Sequence, residues 1–360
     1  LHYPLRRQRQ MCIRDRGYYL VDTSLGSLCS LDTTAPSVTI KEKNSDTTIE
    51  KKIVITGDEK VDSNSAGIGD TVNFSITITV KDGAPKGYVL HDKLSGLTFD
   101  PNSLEVKVGT TTLTANTDYT LETNPADGDS FDVKFKDGKL KTNDVVVVTY
   151  SATVAANATI AGAGNKNTAR LVYNEKDSTK EETTTYVWKL NVHKYALDST
   201  NHEVALSGAK FVLYRMDNGV KKYAKLTNKK IVGWVTDKDN ATTLETSGTG
   251  DILIEGLNVG TYYLEETEAP VGYNKLTEPI EVEITATTSV TSGSETVQYK
   301  NSSETSYTPA TDATVKVLNN AGTQLPSTGG IGTTIFYVIG GVLMAVAAVL
   351  LVTKKRMNNK

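Results

Sequence analysis

The feature that most constrains the fold is a series of runs in which apolar and polar residues alternate. In "DTVNFSITITV", residues 70–80, apolar side chains occupy every second position from Val72 to Val80, and "DVVVVTYSATV", residues 144–154, is almost continuously β-branched. Alternation with a period of two is typical of a strand with one buried face, and the Gly, Asn, Asp and Pro clusters between the runs mark turns. No convincing amphipathic helix interrupts residues 37–303. The pattern therefore predicts an all-β chain of antiparallel β-sandwiches.

Composition narrows the possible functions. The 360 residues are 38% hydrophobic and 7% aromatic, which allows two or three domains with modest cores. The formal net charge is only -3, and no stretch before the C-terminal tail combines basic clusters with aromatic residues. We therefore expect no nucleic-acid partner.

The ligand-forming residues are few and scattered. The two cysteines, Cys12 and Cys29, support neither a disulfide framework nor a cysteine-based zinc site in the folded part. The four histidines lie at positions 2, 91, 193 and 202 and show no ligand spacing. We find no Ser-His-Asp spacing, carboxylate pair or nucleotide-binding loop either. The sequence thus predicts no metal, no cofactor and no enzyme active site.

The N-terminal residues differ from the rest of the chain. "LHYPLRRQRQMCIRDR", residues 1–16, is basic and irregular and lacks the apolar segment and small-residue cleavage site of a secretory signal. We interpret it as non-native sequence that resembles translated adapter sequence, with a native disordered basic arm as the alternative. Residues 17–36 would then be the remnant of a truncated N-terminal domain.

The C-terminal end contains the longest apolar run. Residues 335–352 form eighteen uncharged positions, and residues 331–334 can extend them. At ~1.5 Å per helical residue, the segment 331–352 is long enough to cross a ~30 Å hydrocarbon core. Lys354, Lys355 and Arg356 follow. Because positive charge beside a span tends to stay inside the cell, residues 353–360 should be a cytoplasmic tail and the preceding chain should lie outside.

Directly before that run stands "LPSTG", made of Leu325, Pro326, Ser327, Thr328 and Gly329. This motif, the apolar span and the basic tail together resemble the LPXTG cell-wall sorting signal of Gram-positive surface proteins. The resemblance implies that a sortase thiolate attacks the carbonyl of Thr328, cleaves before Gly329 and passes the acyl group to an amine. It also implies a secreted, wall-anchored protein with a transient membrane span before cleavage. An ordinary single-span anchor after a chance turn is the alternative.

Both predicted sandwiches resemble domains of Gram-positive backbone pilins. Residues 37–185 resemble their isopeptide-forming second domain through "IEKKI" (49–53), "IGDTVNFSITITV" (68–80), "YVLHDKLSGLTFD" (88–100) and "NTARLVYNE" (167–175). Residues 186–303 resemble the prealbumin-like B-type domain of collagen-binding proteins, the CnaB/SpaA type, through "LNVHKY", "LSGAKFVLY" and "VQYKN". "YYLEETEAPVGY" (262–273) fits the pilin E-box pattern, while a long polar excursion at 237–250 departs from the usual domain.

In both families a lysine on the first strand bonds to an asparagine on the last, helped by a buried acid. Burial lowers the pKa of a lysine and raises that of a carboxyl, which favours attack by a neutral amine. Family position and strand phase select two sets of residues: Lys51, Asn167 and the acid Asp92 in the first domain, and Lys194, Asn301 and the acid Glu266 in the second. The alternative for each charged residue is a solvated surface position.

Shaft pilins also carry a lysine in a "YPKN"-like motif that a pilus sortase joins to the threonine of the next subunit. At the junction "SVTIKEKNSDTTIEKKI", Lys43 matches the final "KN", although Lys41 and Glu42 replace Tyr-Pro. Lys43 is therefore the candidate polymerisation lysine, Lys41 is the second choice, and a charged linker is the alternative.

The resemblance implies a pilus shaft subunit that supports adhesion. Its partners would be pilus-specific and housekeeping sortases, further pilin subunits at the shaft, tip and base, a peptidoglycan precursor and a host matrix ligand. A monomeric anchored adhesin with the same domains is the alternative. Residues 304–324 are predicted to be an extended connector.

Overall fold

The structure is a computed structural model that describes residues 17–21, 27–31, 46–81, 86–173, 176–301, 304–322, 342–344, 346 and 354. Across these ranges the chain is mostly strand, which confirms the all-β prediction. Residues 1–16, Lys41, Lys43 and the motif 325–329 lie outside the described residues, as do most of the predicted span and tail. Among the residues described, no helix has the length and apolar character needed to cross a membrane.

The first domain follows a hairpin of β1 and β2 and contains strands β3 to β15. A single 3-10 turn, Thr56–Asp58, interrupts it. The strands are β1 (Gly17–Val21), β2 (Ser27–Leu31), β3 (Thr48–Val54), β4 (Lys60–Val61), β5 (Ser63–Ser65), β6 (Thr71–Thr79), β7 (Val89–Leu94), β8 (Leu97–Val108), β9 (Thr111–Thr112), β10 (Tyr119–Thr123), β11 (Phe131–Phe135), β12 (Val145–Val154), β13 (Asn165–Tyr173), β14 (Lys176–Asp177) and β15 (Glu181–Tyr186).

Two sheets of this domain enclose one apolar core. The first has the order β4-β3-β6-β12-β8-β9, and the second has the order β10-β11-β7-β13-β15-β5 with β14 beside β13. Burial alternates along β6 and β12, as their sequences predict, because one face of each strand lies against the opposite sheet. The core includes Phe74, Leu90, Phe131 and Val148, each at most 1% exposed. This is the predicted sandwich.

The second domain contains strands β16 to β27 and a 3-10 turn, Lys238–Asn240. The strands are β16 (Trp188–Leu197), β17 (Glu203–Ala205), β18 (Lys210–Asp217), β19 (Val220–Thr227), β20 (Lys230–Val235), β21 (Leu244–Glu245), β22 (Asp251–Leu257), β23 (Gly260–Glu268), β24 (Ile280–Thr288), β25 (Gly293–Lys300), β26 (Thr308–Pro309) and β27 (Thr314–Leu318). They form one continuous sheet in the order β17-β16-β22-β20-β19-β18-β23-β24-β25-β26, with β21 beside β18 and β27 beside β16.

The strand β27 corrects the predicted end of the second domain. Residues 304–324 were expected to be an extended connector, but β27 pairs in parallel with β16 from Asn191 opposite Thr314 to Tyr195 opposite Leu318. Val315 and Val317 are fully buried in the core of the domain. The prediction was wrong because the apolar alternation lasts only five residues between polar turns, while the partner strand lies more than a hundred residues earlier in the chain.

The two domains meet at a close junction. Only Val187 separates β15 from β16, and the flanking Tyr186 and Trp188 rings stack with their centroids 5.5 Å apart. The indole Nε1 of Trp188 donates to Ser65 Oγ at 2.9 Å. A side chain at Gly293 would meet the ring of Tyr186 at 2.7 Å, so the close approach requires glycine there. The chain therefore passes from one core to the other without a flexible linker.

Shortening Val317 to alanine tests whether β27 belongs to the core. We expect Val317→Ala to lower the free energy of unfolding by on the order of 2 kcal/mol, because it removes buried methyl groups and leaves a cavity. Denaturant unfolding followed by tryptophan fluorescence would report it, since both tryptophans, Trp188 and Trp234, lie in this domain. Lys316→Thr, on the solvent face of the same strand, is the matched control and should change stability little. Equal, small effects of both changes would mean that β27 is not part of the core.

Candidate functional sites

The first candidate site joins the two sheets of the first domain. Lys51 on β3 and Tyr150 on β12 extend from one sheet, while Asp92 on β7 and Asn167 on β13 extend from the other. All four side chains enter the core, and none of the four residues is more than 3% exposed. Alternation puts them there: Lys51 is in phase with Ile49 and Ile53 in the burial pattern of β3. The structure thus brings Lys51, Asp92 and Asn167, all predicted from the sequence, into one place.

Hydrogen bonds connect the four side chains through the phenol of Tyr150. The Lys51 amine donates to Asp92 Oδ2 and also to Tyr150 Oη, at 2.8 Å. Asn167 Nδ2 donates to the same Tyr150 Oη at 2.7 Å, and the phenol in turn donates to Asp92 Oδ2 at 2.9 Å. The phenol oxygen therefore contacts the amine, the carboxyl and the amide at once.

Sequence reasoning missed Tyr150. It lies within the run "VVVVTY" and is in phase with the buried Val146 and Val148, so it looked like an ordinary core residue. A signal was available: a buried tyrosine hydroxyl usually needs a hydrogen-bond partner, and the strand phase aims it into the same core as Lys51.

The surroundings of the first site are apolar and aromatic. The Lys51 amine lies 5.5 Å from the ring centre of Phe74, and Phe99 and Phe131 stack with their centres 4.1 Å apart beside Tyr150. Burial lowers the pKa of Lys51, although the charge of Asp92 opposes this effect. Burial likewise raises the pKa of Asp92 against the opposing effect of Lys51. Both shifts favour the neutral amine and the neutral carboxyl over the ion pair.

Two buried oxygens of this site have no donor. Asp92 Oδ1 and Asn167 Oδ1 accept no hydrogen bond among the described residues. A buried acceptor without a donor is costly, and a protonated carboxyl carries one additional O–H donor. The neutral form of Asp92 would therefore reduce the deficit, in agreement with the direction of its pKa shift.

The second candidate site lies in the core of the second domain. Lys194 on β16, Glu266 on β23 and Asn319, immediately after β27, are each at most 1% exposed. The Lys194 amine donates to Asn319 Oδ1 and lies 3.3 Å from Glu266 Oε1, and Asn319 Nδ2 donates to the same Glu266 oxygen at 3.0 Å. The other carboxyl oxygen, Oε2, accepts the backbone N–H of Leu276 at 2.7 Å.

Asn319, not the predicted Asn301, therefore lies beside Lys194. Asn301 follows β25 and is only partly buried, and its side-chain amide donates to Glu304 Oε1 at 3.4 Å. The prediction followed the inward phase of Val297 and Tyr299, both of which are buried, but the domain does not end with that strand. Because β27 adds to the sheet beside β16, it carries the next in-phase asparagine to Lys194. The alternation of Val315, Val317 and Asn319 was the available signal.

Burial also tunes the second lysine. The pKa of Lys194 is lowered to about 8, chiefly by burial, while the neighbouring Glu266 raises it in part. The ring of Phe211 lies 5.6 Å from the amine and contributes to the apolar surroundings. About a tenth of this amine is therefore uncharged at pH 7, far more than for a lysine with an ordinary pKa.

Neither lysine site presents a set of metal ligands. Among the described residues, the group whose donor atoms could hold a metal ion is His91 with Asp127, Asp129 and Asp132, on the outer face of the first domain. The sequence analysis did not find this group because His91 lies 36 or more positions before the aspartates.

Two segments of the chain match known protein families. Residues 188–302 match the SpaA prealbumin-like fold domain, and residues 318–359 match the LPXTG cell wall anchor motif. No curated protein matches the sequence.

Solved structures of pilus backbone proteins resemble most of the chain. The pilus 2b backbone protein of group B streptococcus is 25% identical, with a TM-score of 0.58 over 77% of this chain and 99% of that one. The pilus backbone RrgB of Streptococcus pneumoniae is 17% identical, with a TM-score of 0.52 over 77% and 100% of the two chains. BcpA, the major pilin subunit of Bacillus cereus, is 19% identical, with a TM-score of 0.52 over 85% and 82%. The last two establish similarity of fold.

The fold and the anchor motif indicate a secreted, cell-wall-anchored surface protein with prealbumin-like sandwich domains. The solved structures that the chain resembles are backbone and major pilin proteins of Gram-positive pili. The matched pilins are structural subunits and not enzymes.

Alanine substitutions at the two asparagines distinguish their roles. We expect Asn319→Ala to lower the free energy of unfolding by at least about 2 kcal/mol, because the buried Lys194 and Glu266 lose their amide partner. Asn301→Ala is the matched control and should change the free energy of unfolding by no more than about 0.5 kcal/mol, as is usual for a position outside the core. Denaturant unfolding monitored by tryptophan fluorescence measures both. A larger loss for Asn301→Ala would return the role to the predicted residue.

Proposed function

We propose that this protein is the structural subunit of a covalently polymerised, sortase-assembled pilus shaft anchored to a Gram-positive cell wall. Each domain would be stabilised by one intramolecular isopeptide bond, Lys51–Asn167 in the first and Lys194–Asn319 in the second. The observation that carries the proposal is the pair of buried clusters of lysine, acid and asparagine, one in each domain. The similarity to pilus backbone proteins and the LPSTG motif support it.

The bond-forming step balances without any cofactor. The neutral lysine Nζ attacks the side-chain carbonyl carbon of asparagine, the Nζ–Cγ bond forms and the Cγ–Nδ2 bond breaks. One proton from the amine accompanies Nδ2, which leaves as ammonia, and an amide remains. The adjacent carboxyl group would relay the proton, directly in the second domain and through the phenol of Tyr150 in the first. Each domain performs the step once, on itself.

In the first domain, Tyr150 would act together with Asp92. Its hydroxyl accepts from both the attacking Nζ and the departing Nδ2, and it donates to the carboxyl. Burial raises the pKa of Tyr150 well above its ordinary value, so it stays a phenol that can pass a proton from one nitrogen to the other. In the second domain Glu266 would act alone, since its Oε1 contacts both Lys194 and Asn319.

The two bonds would resist a pulling force in different ways. Lys51–Asn167 would join the two facing sheets of a sandwich, whereas Lys194–Asn319 would join two adjacent parallel strands. Each closes a loop of more than a hundred residues. In the chain-entropy model for disulfides, closing such a loop stabilises a domain by on the order of 5 kcal/mol. A shaft with almost no cysteine would gain its covalent strength in this way.

Intact mass of the purified chain tests the crosslinks. We expect a deficit equal to two molecules of ammonia, and tryptic mapping should assign the linked peptides to Lys51–Asn167 and Lys194–Asn319. Asp92→Asn should remove only the first link and Glu266→Gln only the second, because each removes one proton relay. Tyr150→Phe should slow the first link and leave the second unchanged.

A mass that shows no deficit would eliminate the autocatalytic bonds. A deficit mapped to Asn301 would contradict the assignment to Asn319. Loss of both links in one acid variant would mean that the variant chain had not folded. Circular dichroism distinguishes that case from loss of the bond-forming chemistry.

Polymerisation requires a lysine that the sortase can reach. We propose Lys43 as that residue, with Lys41 as the second choice; both lie outside the described residues. In assembly, the carbonyl of Thr328 of one subunit would be joined to this lysine of the next. The pilus-specific sortase, further pilin subunits and, at the end of assembly, the housekeeping sortase and peptidoglycan precursor would be the partners.

A polymerisation assay with a pilus sortase tests the shaft function. We expect a ladder of covalent multimers that Thr328→Ala abolishes. Lys43→Arg should also abolish the ladder, because arginine keeps the charge but does not serve as the acceptor amine. Lys41→Arg should leave the ladder intact. The reverse pattern for the two lysines would move the acceptor to Lys41. Anchoring to the wall without any ladder would favour the alternative, a monomeric anchored adhesin whose ligand contacts could include the excursion at 237–250.

A further inference from the structure

A second group of charged side chains lies on the outer face of the first domain. His91 on β7 pairs in register with Asp132 on β11 and with Arg170 on β13, so these three side chains form a row across three neighbouring strands. Asp127 and Asp129 belong to the turn between β10 and β11, which covers the row. The donor atoms of His91 and the three aspartates all lie within 4.8 Å of one another.

The histidine nitrogen lies at the centre of this group. Nδ1 of His91 is 2.8 Å from Asp132 Oδ1, 3.2 Å from Asp127 Oδ2 and 3.3 Å from Asp129 Oδ2. Around an ion with bonds of ~2.0–2.1 Å, neighbouring ligand atoms are about 2.8 to 3.4 Å apart, depending on whether the site is octahedral or tetrahedral. The separations from Nδ1 are close to that range.

Two of the donor atoms are buried and have no hydrogen bond. Asp132 is only 2% exposed, yet its Oδ1 makes no hydrogen bond, and neither does His91 Nδ1. Three carboxylate oxygens therefore lie near Nδ1, yet none of them is placed to form a hydrogen bond with it. Ligands around a shared cation are arranged in this way, whereas a hydrogen-bonded pair would place one oxygen in line with the ring nitrogen.

The charges of the group do not balance. Three carboxylates face one permanent cation, Arg170, whose Nη2 lies 3.1 Å from Asp129 Oδ2 and 3.5 Å from Asp127 Oδ2. With a neutral histidine, the ionised group carries a net charge of about -2 that a divalent ion would neutralise.

We propose that His91, Asp127, Asp129 and Asp132 bind a divalent transition-metal ion of the Zn²⁺ type. One imidazole nitrogen with three carboxylate oxygens suits Zn²⁺, whereas Ca²⁺ prefers oxygen ligands alone. The role of the ion is structural. It fixes the turn between β10 and β11 against β7, and neither lysine site needs it.

The position of the turn gives this role a consequence. The backbone of Ser130 donates to the carbonyl of Asp92 at 2.7 Å, and its hydroxyl accepts the N–H of Leu94 at 2.9 Å. The turn thus holds the strand that carries the buried acid of the first domain. A metal ion here would stabilise the first domain specifically, by mass action on its folded state.

Titration of the full chain tests the proposal, after purification in mild detergent and treatment with EDTA. Isothermal titration with ZnCl₂ should show one site per chain, and Zn²⁺ should raise the unfolding temperature of the first domain until EDTA is added. Asp132→Asn and His91→Gln should each weaken Zn²⁺ binding at least about tenfold. His202→Gln is the matched control, because this histidine is 81% exposed beside a single carboxylate, and it should bind Zn²⁺ like the unaltered chain.

Absence of Zn²⁺ binding would overturn the proposal and leave His91 as an ion-paired surface residue. Tighter binding of Ca²⁺ than of Zn²⁺ would overturn the assigned class of ion. X-ray absorption at the zinc edge of the unaltered chain gives a result that does not depend on the folding of any variant. It should show nitrogen and oxygen ligands, and a sulfur ligand would place the ion on a cysteine instead.

Discussion

The arrangement of each domain depends on a lysine amine buried in an apolar core. A buried ammonium ion without a partner costs several kcal/mol, so the protein must provide a counter-charge or hold the amine neutral. Both Lys51 and Lys194 have a carboxyl beside them, and burial lowers the pKa of each lysine. The same environment that makes the ion pair unfavourable makes a neutral amine available to the neighbouring amide. The stability problem and the proposed bond-forming chemistry have one cause.

The two domains meet this constraint with different topologies. In the first, the lysine and the asparagine come from opposite sheets, and the phenol of Tyr150 fills the space between them and contacts all three partners. In the second, β16 and β27 are direct neighbours, so the lysine and Asn319 meet without a bridging side chain, and a backbone N–H holds the acid. The contact order is high in both cases. Neither site can form until the ends of its domain have come together.

The junction between the domains affects how force would pass along the chain. Because β15 continues into β16 with one residue between them, tension on the chain reaches the first strand of the second domain directly. Lys194 lies on that strand, and Asn167 lies on β13, the neighbour of β15. Under the proposed function, the crosslinked elements are therefore close to the path of the load. The stacking of Tyr186 on Trp188 and the close approach of Gly293 to the Tyr186 ring pack the junction that this path crosses.

The sequence by itself determined the class of fold, the anchor motif and most of the first site. Period-two alternation predicts that Lys51 and Asn167 face inward, and the resemblance to backbone pilins added Asp92; all three are buried in one core. Alternation cannot determine which strands become neighbours, because pairing depends on contacts between residues far apart in the chain. Only the tertiary structure could therefore add β27 beside β16, replace Asn301 with Asn319, bring Tyr150 between the sheets and collect His91 with three distant aspartates.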